Sequence, residues 1–232
     1  MTSMGKTHLL TFADPAYEHK RDKTNNKVDF FDIVRGYTPD DIDQDFKTVN
    51  SEIWNQPRGY GYWMWKPYII LDYLNNHCDE NDMVVYCDAG DFFWKDVLDQ
   101  FCDDVSDEKP VTAIKSRHWT QAQYAKMDCM VLMGCDDEKY LTSQIYASLI
   151  AIKNNSISRG FINEWLEYCK NVNILTDAPN ICGKDNFPEF IDHRHDQSIF
   201  TNLMNKYEMP TRVQGDYDPG CHDGSWTLGE IG

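Results

Sequence analysis

The 232 residues allow one sizeable hydrophobic core and fit a single α/β domain, and no window reaches the length of a membrane span. A formal charge of −16, from 38 acids against 22 Lys and Arg, argues against a nucleic-acid backbone or an anionic membrane as main partner, because contact would form against a repulsive field. Eight cysteines without a C-x-x-C pair read as mostly reduced thiols; with no apolar leader at the N-terminus, the expectation is a cytoplasmic protein not secreted by the usual route.

Thr7 to Ala13 reads as a buried first strand that Asp14-Pro15 ends. A polar, Lys-rich segment follows, then a strand-like run from Val28 to Val34, so the chain opens as a β-α-β unit. Asp40 to Asn55 carries acids in its first turn and Ile42, Phe46, Val49 and Ile53 at three- and four-residue spacing, which predicts an amphipathic helix. Gln56 to Pro67 is glycine-rich first and aromatic after, and Pro67 suits the first turn of a helix over Tyr68 to His77. Glu80-Asn81-Asp82 then turns the chain into Met83 to Asp91, an apolar strand that stops on two carboxylates around an Ala-Gly pair.

Beyond it, Asp96 to Phe101 is a short helix candidate, Val111 to Ser116 a strand and Thr120 to Met127 a helix. Met130 to Met133 and Ile145 to Lys153 are further strand candidates. Ser158 to Val172 is a helix with Phe161, Ile162, Trp165, Leu166 and Cys169 on one face, Asp177 to Asp192 a loop, and Asp196 to Tyr207 the last helix. The tail, Gly215 to Gly232, holds five glycines and reads as a loop that frays or folds over a site.

Asp88 and Asp91 are the first candidates for chemistry. The carboxyl edge of an open α/β sheet is where ligands bind, and Mg²⁺ or Mn²⁺ takes one or two protein carboxylates while leaving positions for water and phosphates. The alternative is a strand-end turn whose acids cap the next element. Between them lie Ala89 and Gly90, and a glycine there lets a phosphate approach the backbone. Arg58 and Lys66 flank glycines and the aromatics Tyr62 and Trp65, which suits a diphosphate and a sugar; the alternative is a packed aromatic loop with surface cations. His222 in the tail is either an imidazole ligand for Mn²⁺ or a solvated residue. In His193-Arg194-His195-Asp196-Gln197, Asp196 either complements a helix dipole or faces the substrates as a general base, with Gln197 beside it.

Tyr86-Cys87-Asp88-Ala89-Gly90-Asp91, Gly59 to Pro67, His193 to Ser198 and His222-Asp223-Gly224 together resemble a nucleotide-diphospho-sugar glycosyltransferase of the GT-A fold. The resemblance implies a single Rossmann-like domain over residues 1–232, with a central, mostly parallel mixed sheet flanked by helices. Its donor-binding part would span about 1–115 and its acceptor side about 116–232. It further implies transfer of a sugar from a nucleotide-diphosphate donor, with uridine the commonest base, to a hydroxyl of a glycan or other acceptor. Mn²⁺ or Mg²⁺ would be held by Asp88 and His222, the nucleoside would lie along Thr11, Phe12 and Ala13, and the late His motif points to retention of configuration. The family's Asp-x-Asp spacing is not met, since position 90 is glycine and the second acid falls at Asp91; which carboxylate touches the metal stays open. Three other classes compete with it. An aspartate-nucleophile phosphatase needs an acid where Gly90 stands, a metal-dependent nucleotidyltransferase needs a basic glycine-rich loop that Thr11 to Asp14 does not supply, and a non-catalytic carbohydrate- or nucleotide-binding module fits the aromatics and acids.

Overall fold

The structure, a computed structural model, describes residues 5–91 and 95–213. Among them are six strands, β1 (Thr7–Phe12), β2 (Ile33–Tyr37), β3 (Met83–Cys87), β4 (Val111–Thr120), β5 (Ser143–Lys153) and β6 (Thr211–Val213), in one sheet of order β2-β1-β3-β5-β4-β6. β1 is parallel to β2 and β3, and β4 to β6, while β5 runs antiparallel to both its neighbours. This is the mixed, mostly parallel sheet of an α/β fold. The helices are α1 (Glu18–Lys27), α2 (Gln44–Val49), α3 (Ser51–Trp54), α4 (Trp65–Asn76), α5 (Lys95–Asp104), α6 (Gln121–Tyr124), α7 (Met127–Leu132), α8 (Ser156–Cys169), α9 (Val172–Leu175) and α10 (His195–Lys206).

Strand side chains alternate between two buried clusters, one on each face of the sheet. Leu9, Met83, Val85 and Cys87 pack with Val97, Leu98 and Phe101 of α5. Leu10, Phe12, Val84 and Tyr86 pack with Ile69 and Ile70 of α4, Trp165 of α8 and Phe200 of α10. With both faces covered, β3 is apolar throughout and wholly buried. β1 and β3 end at the same edge. Because β5 is reversed, its first half returns there, and the Asp88 amide donates to the Ser148 carbonyl at 2.8 Å.

Several element predictions are corrected. The second strand begins at Ile33, not Val28: Val28 and Phe31 are buried ahead of it, and the Asp32 carboxylate accepts from the Thr7 amide, setting where β2 enters. The helix expected over 40–55 breaks into a 3₁₀ turn, α2 and α3, because the Asp43 carboxylate caps a fresh start through Asp45 N and Phe46 N. Met130 to Met133 is helical as far as Leu132, within α7, where an apolar run this short cannot by itself distinguish strand from helix. Thr120 to Met127 holds only the four-residue α6 and the start of α7, since β4 runs on to Thr120 and the Thr120–Gln123 capping box starts the helix there.

Candidate functional site

At the carboxyl edge of β1 and β3 opens a cleft of about 770 Å³, within the range of ligand sites. Its wall draws on stretches far apart in sequence: Phe12, Ala13 and Asp14 at the end of β1; residues within 58–66; Tyr86, Asp88 and Ala89; Tyr146 to Ser148; and residues within 192–197. Trp65 stacks on Phe12, with centroids 3.7 Å apart and planes 19° from parallel, and its Nε1 donates to the Gly59 carbonyl at 3.1 Å. The nucleoside expectation for Thr11 meets a different geometry. Thr11 is fully buried, donates its hydroxyl to Asn25 Oδ1 at 2.9 Å, and is absent from the cleft wall.

Lys66 occupies the floor. It enters at the first turn of α4, and its buried Nζ lies 3.0 Å from the Ala147 carbonyl, 3.2 Å from Asp88 Oδ1 and 3.3 Å from Asp196 Oδ2. Burial works against the ammonium, but Asp196 and Asp88 outweigh it and raise the Lys66 pKa. One cation thus faces two carboxylates. Asp196 lies in the first turn of α10, whose start is held by the Trp165 indole donating to the Asp196 carbonyl at 3.0 Å. Burial pushes the Asp196 carboxyl up to about 6, against the pull of Lys66 and with a further push from Asp88. Gln197 reaches the same wall and donates to Gln144 Oε1 at 2.7 Å. Asp88, partly exposed, accepts the Tyr86 hydroxyl and turns toward the cleft.

Gly90 and Asp91 stand behind that wall. The Gly90 amide donates to Thr24 Oγ1 at 2.9 Å, so it is engaged with α1 where a close approach to phosphate had been expected. Burial, and then the Asp88 charge, push the Asp91 carboxyl up to about 7. Among the described residues, no three His, Cys, Asp or Glu side chains gather into a group that could hold a metal ion. His222 lies outside the described residues.

Residues 59–63 form a single left-handed turn. Gly59, Tyr60, Gly61, Tyr62 and Trp63 all have positive φ, between 54° and 85°, a conformation that costs non-glycine residues roughly 1–2 kcal/mol each. The Tyr62 amide donates to the Arg58 carbonyl at 2.8 Å and the Trp63 amide to the Gly59 carbonyl at 3.1 Å. A Cβ on Gly59 would lie 2.4 Å from the Trp63 ring, so glycine is required there by space as well as by φ. The turn presents Tyr60 and Trp63 to the cleft, whereas Tyr62 packs on His195 with centroids 4.7 Å apart and does not line the wall. His195 itself opens α10 at φ 49°. Two strained segments therefore meet beside Asp196, the kind of placement that marks functional sites.

His193 and His195 anchor this region through backbone carbonyls. His193 Nε2 donates to the Ile174 carbonyl at 2.9 Å and His195 Nδ1 to the Leu175 carbonyl at 2.8 Å. Burial depresses both, His195 to about 4, so both are neutral at pH 7. Arg58 is committed too: it donates to Asp177 at 3.1 Å and to Asp192 at 2.7 Å. Each of those exposed pairs contributes about 0–1 kcal/mol. Trp119, Tyr146, Asp192 and Arg194 also line the cleft, and sequence reasoning did not single them out as site residues. Arg194 alone had a visible signal, its place two residues before Asp196.

No protein-family model matches the chain, and no curated protein matches it by sequence. Among solved structures it is similar to mouse xyloside xylosyltransferase 1 in its apo form, with a TM-score of 0.49 and 8% identity over 89% of this chain and 84% of that one. It is also similar to the apo WbbM bifunctional glycosyltransferase, with a TM-score of 0.40 and 11% identity, over 92% of this chain and 39% of the longer one. Both are likenesses of fold.

Proposed function

We propose that the chain is a glycosyltransferase that moves a sugar from a nucleotide-diphosphate donor, with UDP the expected carrier, to a hydroxyl of a saccharide acceptor. The observation that carries this reading is the Asp88–Lys66–Asp196 constellation on the floor of an aromatic-lined cleft at the sheet's carboxyl edge. Breaking the anomeric C–O bond builds negative charge on the leaving diphosphate and positive charge on the sugar. Lys66 faces the first charge. Asp196, with its carboxyl pushed up to about 6, is poised to accept the acceptor's proton or to stabilise the second. Phe12 and Trp65 offer a stacked apolar wall for the nucleoside, and Gln197 a hydrogen-bonding amide for sugar hydroxyls.

A hard divalent ion suits Asp88. Its carboxylate reaches the cleft, and Asp91, raised by burial first and by the Asp88 charge second, adds another acid at the same strand end, where a divalent ion would offset the negative charge. Asp88 would hold the ion, with Asp91 and His222 as the further candidates. When bound, Mn²⁺ or Mg²⁺ supplies charge neutralisation for the leaving diphosphate. A panel of nucleotide sugars screened by thermal shift with Mn²⁺ tests this. A rise in melting temperature for one base and sugar supports the reading, and a flat panel, with or without metal, contradicts it.

A further inference from the structure

Three cationic side chains line the cleft: Arg58, Lys66 and Arg194. Arg58 pairs with Asp177 and Asp192, and Lys66 with Asp88 and Asp196. Arg194 has no ion pair with any carboxylate among the described residues. Its guanidinium rests instead against two rings, with Cζ 4.8 Å from the Trp119 centroid and 4.9 Å from that of Tyr124. Ring contact uses the face of the guanidinium and leaves its in-plane N–H donors for an acceptor. One of those donors, Nε, is buried without a hydrogen-bond partner among the described residues, so the guanidinium is not fully satisfied by the protein. In a chain of charge −16, a cation held at a cleft wall by aromatics and left without a counter-charge among the described residues is a built recognition element.

Strand order says which substrate it faces. β4, which ends at Trp119-Thr120, is separated from β1 by β3 and β5, about three strand spacings or roughly 14 Å. With the nucleoside on Phe12 and the diphosphate at Lys66 and Asp88, as proposed above, Arg194 lies past the transferred sugar. We propose that Arg194 binds an anionic group on the acceptor, so that the acceptor is an acidic saccharide bearing a carboxylate or a phosphate. A planar fork binds either group through two parallel N–H bonds. This rests on the donor placement of the proposed function.

The test is calorimetric titration of the wild type, Arg194→Gln and Arg194→Lys with methyl glucuronide, glucose 6-phosphate, neutral methyl glucoside and UDP, in the presence of Mn²⁺. Arg194 is only partly buried, and a far-UV spectrum confirms that each variant is folded. The wild type is expected to bind one acidic sugar at least roughly tenfold more tightly than the neutral one; Arg194→Gln abolishes that preference, and Arg194→Lys keeps only part of it because a point charge lacks the fork. Which acidic sugar wins identifies carboxylate or phosphate. UDP affinity is expected to be unchanged in both variants. A preference that survives in Arg194→Gln, no preference in the wild type, or a loss that falls on UDP instead each overturns the acceptor assignment. Absence of UDP binding in the wild type contradicts the proposed function, whereas the Arg194 comparison is read from the sugars alone.

Discussion

The ammonium of Lys66 sits 3.3 Å from Oδ2 of Asp196, and both side chains are buried. With Asp88 as the second carboxylate at 3.2 Å, the floor of the cleft carries more negative charge than its one cation cancels. The consequences are electrostatic first and catalytic second.

Replacing Lys66 by Met leaves Asp196 buried without its cation. Breaking a buried pair in this way costs about 3–5 kcal/mol, which urea unfolding at pH 7.5 should register. The penalty should shrink toward pH 5. A carboxyl whose folded pKa is raised contributes stability that is present at low pH and lost as pH rises through that pKa, and removing Lys66 raises Asp196 further. A penalty independent of pH contradicts this account.

Asp91 is raised to about 7 by burial and by the Asp88 charge, against the pull of Lys66. Its protonated form favours folding, so in EDTA the wild type should lose stability as pH rises from about 4 to about 7. With about 1.4 kcal/mol per pKa unit, the full effect is on the order of 4 kcal/mol. Asp91→Asn should flatten that slope and be the more stable protein at pH 8. Mn²⁺ should raise the melting temperature of the wild type at pH 8 more than that of the variant, and equal shifts would remove Asp91 from the metal site.

Asp196→Asn should lower turnover by about 10²-fold or more while changing donor affinity little, as for a lost general base. In the wild type, kcat/KM should fall as pH drops below about 6, where Asp196 protonates. Initial rates of donor hydrolysis and transfer across pH 5–8 check both. An unaltered rate would return Asp196 to a role in the start of α10.

Much of the fold was legible because the strongest signals are local. The uninterrupted apolar run Met83–Cys87 can be satisfied only by cover on both faces, and two helical clusters provide it. Edge strand β2 was misplaced because Ile33 and Val34 are exposed there, while the apolar Val28 and Phe31 are buried before the strand begins. At the site, Lys66 was visible as a cation among aromatics, but its partners were not, because Asp196 arrives from a different helix 130 residues on. The partners of Arg58 were hidden for the same reason: Asp177 and Asp192 belong to a loop whose path periodicity cannot give. The glycines at 59 and 61 announced backbone freedom, but not that five successive residues would turn left-handed.

That turn gives a prediction of its own. Gly59→Ala adds a Cβ 2.4 Å from the Trp63 ring on a left-handed backbone and should cost about 2–4 kcal/mol, strain and clash together. Gly183→Ala is the control. Its φ of 74° is also left-handed but nothing lies within 4 Å of the added Cβ, so about 1–2 kcal/mol is expected. Chemical unfolding of both compares them directly, and equal losses contradict a turn locked by Trp63.

The central claim, a metal-assisted nucleotide-sugar site anchored on Asp88, is tested most directly by calorimetric titration of UDP into the wild type and Asp88→Ala, each with and without Mn²⁺. Asp88 is partly exposed at the strand end, so the variant should keep its fold. Saturable binding that requires Mn²⁺ in the wild type and disappears in Asp88→Ala is the predicted result. Equal UDP affinity in the two proteins, or no binding to the wild type with Mn²⁺ present, would contradict it.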